Sequence, residues 1–221
     1  MLAREPRPGA VKTRLAPALG AAGAARLYRA FTADLCAALA PRFALTLACA
    51  PSPERPYFRH LARRHGLALI AQGTGDLGAR MRRLAAAGLR DARRVVLIGS
   101  DAPTLPAELV AAAFRALARA PVVLGPSLDG GYYLLGLRAP VPDVFTRMPW
   151  GGDRVLARTL ARLRRAGVTP ALLPCWYDVD TGADAALLGR HLAVLAACGA
   201  RPSPRTARAL AAVTRARRGR A

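Results

Sequence analysis

The feature that most constrains this chain is an alternation of short apolar, β-rich runs with long stretches of helical periodicity. The strand-like runs are Phe43–Ala50, Leu67–Ala71, Val95–Gly99, Pro121–Gly125, Tyr132–Leu137 and Ala171–Cys175. The helical patterns are Ala18–Ala40, Glu54–His65, Leu77–Gly88, Pro106–Ala120, Asp153–Ala166 and Ala183–Cys198. Such alternation predicts an α/β fold with a mostly parallel sheet, because parallel strands need crossovers long enough to hold a helix. With 221 residues the chain has room for one well-buried core. Residues 1–200 are therefore read as one domain and residues 201–221 as a basic C-terminal tail, helical or frayed. Only Met1 to Ala3 precede the first loop, Arg4-Glu5-Pro6-Arg7-Pro8-Gly9, so the lead strand is expected to be stunted and the start several residues too late.

No apolar run approaches the roughly 20 residues that cross a bilayer. Charge and proline in Met1 to Pro6 break any secretory h-region, and the expected location is the cytoplasm. Cys36, Cys49, Cys175 and Cys198 lack paired spacing, which predicts buried, reduced thiols instead of disulfides or a zinc site. A formal charge of +21 invites a nucleic-acid reading. The basic residues are spread along helical faces, however, and the dense run from Arg201 to Arg220 has no interleaved aromatics to stack bases. Nucleic acid is therefore discounted as a partner.

Against this arginine-rich background the chain has a single lysine, Lys12. An ammonium is a compact point charge that fits where a planar guanidinium does not. The carboxylates are as telling. Only 13 exist, and Asp76, Asp101, Asp129, Asp178, Asp180 and Asp184 all fall where strands end. Ligands of open α/β sheets bind outside the carboxyl ends of strands. Asp101 follows the apolar run Val95–Gly99, where an acid is placed to hold Mg²⁺ or Mn²⁺ and a substrate's phosphates. In Asp178-Val179-Asp180-Thr181-Gly182-Ala183-Asp184, Thr181 and Asp184 fit a helix cap, while the alternate spacing of Asp178 and Asp180 turns both to one side. Asp180 is the candidate to share a metal with Asp101.

Asp129-Gly130-Gly131-Tyr132 reads as a hairpin whose glycines let the backbone approach a ligand. Trp150, beside Gly151 and Gly152, is a candidate to stack on or close over a substrate. Gly73-Thr74-Gly75-Asp76-Leu77-Gly78 is formally a G-x-G-x-x-G and keeps an NAD(P)-binding oxidoreductase open as an alternative. A carboxylate at Asp76 among amides meant for a pyrophosphate argues against it. A P-loop is excluded, because Val11-Lys12-Thr13 lacks the glycine before lysine. His60, His65 and His191 lie on helical stretches, away from the strand ends.

Taken in order, Pro8–Pro17, Gly75–Met81, Gly99–Pro106, Gly125–Leu137 and Asp178–Thr181 resemble a bacterial family of GT-A-fold glycosyltransferases. Some members of that family are proposed to act in arsenosugar biosynthesis, and it is related to nucleotide-diphospho-sugar transferases. The resemblance implies a single-domain GT-A three-layer sandwich over residues 1–200, a nucleotide-sugar donor and a small-molecule acceptor. It also implies Mg²⁺ or Mn²⁺ on Asp101 and Asp180, with Lys12 and Arg14 on the departing phosphates. Asp129 is then the candidate base. Gly75, Asp76, Gly130, Gly131, Tyr132 and Trp150 complete the substrate side. Lys12–Leu15 and Asp178–Thr181 are also similar to 2-phospho-lactate guanylyltransferases, which makes nucleotidyl transfer from a nucleoside triphosphate the alternative. A nonenzymatic nucleotide-binding module is a further one.

Overall fold

The computed structural model describes residues 1–218; residues 219–221, the end of the basic tail, lie outside the described residues. Among the described residues, seven strands and seven α-helices follow in the order β1 (Leu2–Arg4), α1 (Ala16–Leu39), β2 (Thr46–Ala50), α2 (Pro56–His65), β3 (Ala68–Ala71), α3 (Leu77–Asp91), β4 (Arg94–Ile98), α4 (Ala107–Ala116), β5 (Val122–Pro126), β6 (Tyr132–Arg138), α5 (Val155–Arg165), β7 (Ala171–Leu172), α6 (Gly182–Ala197) and α7 (Pro204–Arg218). A short 3-10 turn, Thr13–Leu15, leads into α1. One sheet has the order β1-β2-β3, all parallel. The other has the order β4-β6-β5-β7, in which β6 runs antiparallel to β4 and β5, and β5 pairs parallel with β7.

The three layers follow from strand alternation, since successive side chains point to opposite faces. Ile98, Val123 and Leu134 join one apolar cluster with Leu35 of α1, Phe58 of α2 and Val110 of α4. Their neighbours Leu97, Leu124 and Leu135 join a second cluster with Met81 of α3 and Leu163 of α5. The two faces of the strands are thus covered by different helices, as expected of the GT-A sandwich. A third cluster gathers Leu27 and Phe31 of α1, Val179, and Leu188 of α6.

Local rules set the helix ends near the site. Asp76 caps α3, accepting from the Ala79 amide at 2.8 Å. Thr181 and Asp184 form a reciprocal capping box on α6, as their spacing predicts. Pro106 stands before α4 as its N-cap, so the helix starts one residue later than expected and ends at Ala116. The lead strand has three residues, Leu2–Arg4. The thiol expectation needs correction: all four cysteines are free, but Cys175 and Cys198 are exposed, because β7 ends at Leu172 and Cys198 lies just past α6. Among the described residues, no helix is long and apolar enough to cross a membrane.

Candidate active site

A cavity of about 770 Å³ opens at the carboxyl ends of β1 and β4, and it is lined by Lys12, Arg14, Asp101, Asp129, Gly131, Tyr132, Trp150, Asp178 and Asp180. Lys12 Nζ lies 2.5 Å from Asp101 Oδ1 and 2.7 Å from Asp180 Oδ1. Its side chain is 4% exposed, while both carboxylates reach the solvent side of the cavity. The rings of Tyr28 and Phe31 stand 5.9 Å from the ammonium. Burial pulls the Lys12 pKa down, but the two carboxylates outweigh it, and the net shift is upward. The ammonium is therefore fixed as a cation.

Two backbone features put these groups in register. Lys12 adopts left-handed dihedrals, φ 49° and ψ 44°, which turn the chain into the 3-10 segment. The Val179 amide donates to the Asp101 carbonyl at 2.9 Å, tying the two acidic segments together. Behind Asp101, the Tyr28 and Ser100 hydroxyls hydrogen-bond at 2.6 Å, and the Arg4 amide donates to Tyr28 Oη at 3.0 Å. Asp178 is pushed up to about 7, by burial first and then by Asp101, with Lys12 opposing and Asp129 and Asp180 adding. Among the described residues no preformed cluster of three His, Cys, Asp or Glu ligands is found.

The turn after β5 is built on close contact. Asp129 Oδ1 accepts from the Gly131 amide at 3.0 Å. Gly130 has φ +86°, and a Cβ there would lie 1.9 Å from the Asp153 carbonyl oxygen, while its own carbonyl accepts from Leu156 N at 3.0 Å. Only glycine fits. Trp150 packs edge-on to Tyr132, with ring centroids 6.3 Å apart, and its buried Nε1 has no partner among the described residues.

The structure thus brings Lys12, Arg14, Asp101, Asp129, Gly131, Tyr132, Trp150 and Asp180 around one space. It does not bring Gly75, Asp76 or Gly130 to the cavity lining. The Asp76 carboxylate occupies the N-terminus of α3, where a dinucleotide's pyrophosphate would have to sit. Arg4, Tyr28 and Gln72 line the cavity and carry no recognisable sequence motif, whereas Arg80, which also lines it, lies within the Gly75–Met81 segment. Asp178 was visible in the sequence as the alternate-spaced companion of Asp180.

These features define a GT-A-like α/β fold with a polar, carboxylate-bearing cavity at the strand ends. The chain belongs to the family described as "Uncharacterized protein conserved in bacteria (DUF2064)", whose profile matches residues 32–152. No curated protein matches it. It is similar to the structure of a "putative nucleotide-diphospho-sugar transferase" from Desulfovibrio desulfuricans G20, with 35% identity, a TM-score of 0.84, and coverage of 97% of this chain and 94% of that one. Two more distant structures share the fold. CMP:2-keto-3-deoxy-manno-octonic acid synthetase complexed with CTP has 13% identity and a TM-score of 0.52, covering 88% of this chain and 96% of that one. Glucosyl-3-phosphoglycerate synthase from Mycobacterium tuberculosis, in complex with Mn²⁺, uridine diphosphate and glucosyl-3-phosphoglycerate, has 13% identity and a TM-score of 0.51, covering 78% and 77%.

Proposed function

We propose that the chain is a divalent-metal-dependent glycosyltransferase, moving a sugar from a nucleotide-sugar donor to a small acceptor. The observation that carries this reading is the pair Asp101 and Asp180 drawn around one buried cation at the wall of the cavity. Their donor atoms are hard oxygens, and Lys12 engages only Oδ1 of each. That pair of carboxylates fits Mg²⁺ or Mn²⁺, hard cations that also take a substrate's phosphate oxygens. Such an ion would supply Lewis-acid neutralisation of the donor's diphosphate. The similarity to the D. desulfuricans protein supports the donor class.

The remaining roles belong to the chain's own side chains. Lys12 holds the two carboxylates at a fixed separation against their mutual repulsion. Arg14, with its side chain 71% exposed and Nη1 3.9 Å from Asp180 Oδ2, is free to turn toward the leaving phosphate and take up charge as the glycosidic bond breaks. Asp129 keeps Oδ2 for the acceptor hydroxyl while Gly131 N fixes Oδ1, and it serves as the base. Tyr132 and Trp150 form the sugar side.

Nucleotidyl transfer is the second reading. In that reading a phosphate nucleophile needs no base, and Asp129 is structural, holding the turn through Gly131 N. Incubation with Mg²⁺ or Mn²⁺ and panels of nucleotide sugars and nucleoside triphosphates, followed by product identification, separates the two. Released nucleoside diphosphate supports glycosyl transfer, and released pyrophosphate supports nucleotidyl transfer. Tight NADH binding with neither product would overturn both.

A further inference from the structure

Behind the acidic pair, Thr104, Tyr177 and His191 form a chain of hydrogen bonds that lies outside the cavity lining. Thr104 stands in the turn that follows Asp101 and is 4% exposed, and its Oγ1 donates to Tyr177 Oη at 3.2 Å. Tyr177 directly precedes Asp178, and its Oη lies 2.7 Å from Nδ1 of His191. His191 belongs to α6, the helix that begins just past Asp180. With Tyr177 Oη accepting from Thr104, the tyrosine hydrogen goes to Nδ1, and the His191 hydrogen sits on Nε2. The Tyr177 ring is held as well: it stacks on Trp176 with centroids 5.9 Å apart and lies 5.7 Å from the His191 ring. It also packs against the apolar cluster that contains Val11 and Leu15, on either side of Lys12, together with Val179. One side chain thereby joins the three segments that carry Lys12, Asp101 and Asp180.

We propose that Tyr177 is a positioning residue for the cation site: by tying Thr104 to His191 it sets the separation of the Asp101 and Asp180 carboxylates. This rests on the divalent-metal reading given above. The bond from Val179 N to Asp101 O joins the two acidic segments at a single point, which leaves them free to turn about it. The link from Thr104 through Tyr177 to α6 adds a second point and removes that freedom. Mg²⁺ and its close analogues demand a near-ideal arrangement of oxygens at about 2.1 Å, so a small change in carboxylate spacing is felt as lost affinity. Loss of a group that orients metal ligands typically weakens metal binding by about 10–100-fold.

The test follows Mn²⁺ binding to the full chain by electron paramagnetic resonance, with UDP or GDP present, beside a thermal melt of each variant. Tyr177→Phe keeps the stacked ring and removes only the shared oxygen. It is expected to fold and to bind Mn²⁺ about tenfold more weakly than wild type. Thr104→Val is expected to weaken binding in the same sense, while Thr104→Ser, which keeps the hydroxyl, restores it. Adding Thr104→Val to Tyr177→Phe is expected to weaken binding no further, because both changes remove the same bond. Unchanged Mn²⁺ affinity in Tyr177→Phe and Thr104→Val, even with a lowered Tm, overturns the positioning role and leaves the metal reading standing. An equal loss in Thr104→Ser and Thr104→Val overturns it too. If the wild type takes up no Mn²⁺, both fall.

Discussion

Lys12 is where residue identity matters most. Its ammonium sits between two carboxylates and two aromatic rings, on a side chain that is 4% exposed. A guanidinium is longer and planar, so Lys12→Arg should not substitute for it. Transfer activity is expected to fall by about tenfold or more in Lys12→Arg, approaching Lys12→Met, because the fork geometry does not fit a point-charge site. Full activity in Lys12→Arg would show that charge alone suffices. The sequence made Lys12 conspicuous as the only lysine, and it suggested contact with phosphates. It did not indicate the Asp101–Lys12–Asp180 bridge, because 168 residues separate Lys12 from Asp180 and only folding sets their spacing. Gly130 is the second sharp position. Gly130→Ala would force a Cβ toward the Asp153 carbonyl at a positive φ, and a lowered Tm of roughly 5 °C or more is expected by thermal melting.

At the level of elements, caps carry testable energy. Burial alone would raise the Asp184 pKa, but hydrogen bonds from the Thr181 hydroxyl and from the Thr181 and Asp180 amides outweigh it and hold it below 3.8, the ordinary value. A depressed carboxylate pKa means stability present above 3.8 and lost as pH falls through the lower folded value. Asp184→Ala is therefore expected to cost roughly 1 kcal/mol at pH 7, with the difference shrinking below about pH 4 in denaturant titrations. A cost that does not change with pH would contradict the cap. This box was legible because its residues are adjacent in sequence. The strands were legible in place but not in extent: Phe43 to Leu45 continue the apolar pattern without joining β2, and Ala171–Cys175 is reduced to two paired residues. Apolar composition marks burial, whereas strand limits depend on a partner edge that only the fold provides.

Over the whole molecule, the C-terminal helix is fastened to the site from outside it. Asp34 of α1, with a side chain 1% exposed, accepts from Arg205 N, Arg205 Nη1 and Thr206 N, and so caps α7 from another element. Ser203 Oγ donates to Pro103 O at 2.7 Å, linking the start of α7 to the turn after Asp101. Asp34→Ala is expected to cost about 2–3 kcal/mol, since two helix amides lose their acceptor, and to raise hydrogen exchange first in α7. Uniform exchange across the molecule would contradict this. None of it was visible in the tail's composition, which records charge but not a buried acceptor 171 residues away. The central claim, that Asp101 and Asp180 hold a divalent cation for a nucleoside diphosphate, is tested most directly by manganese titration followed by electron paramagnetic resonance. In the presence of UDP or GDP, the free Mn²⁺ signal should fall with one equivalent of protein and persist with Asp101→Asn or Asp180→Asn. Equal binding by wild type and both variants, or no binding by any, would contradict the account.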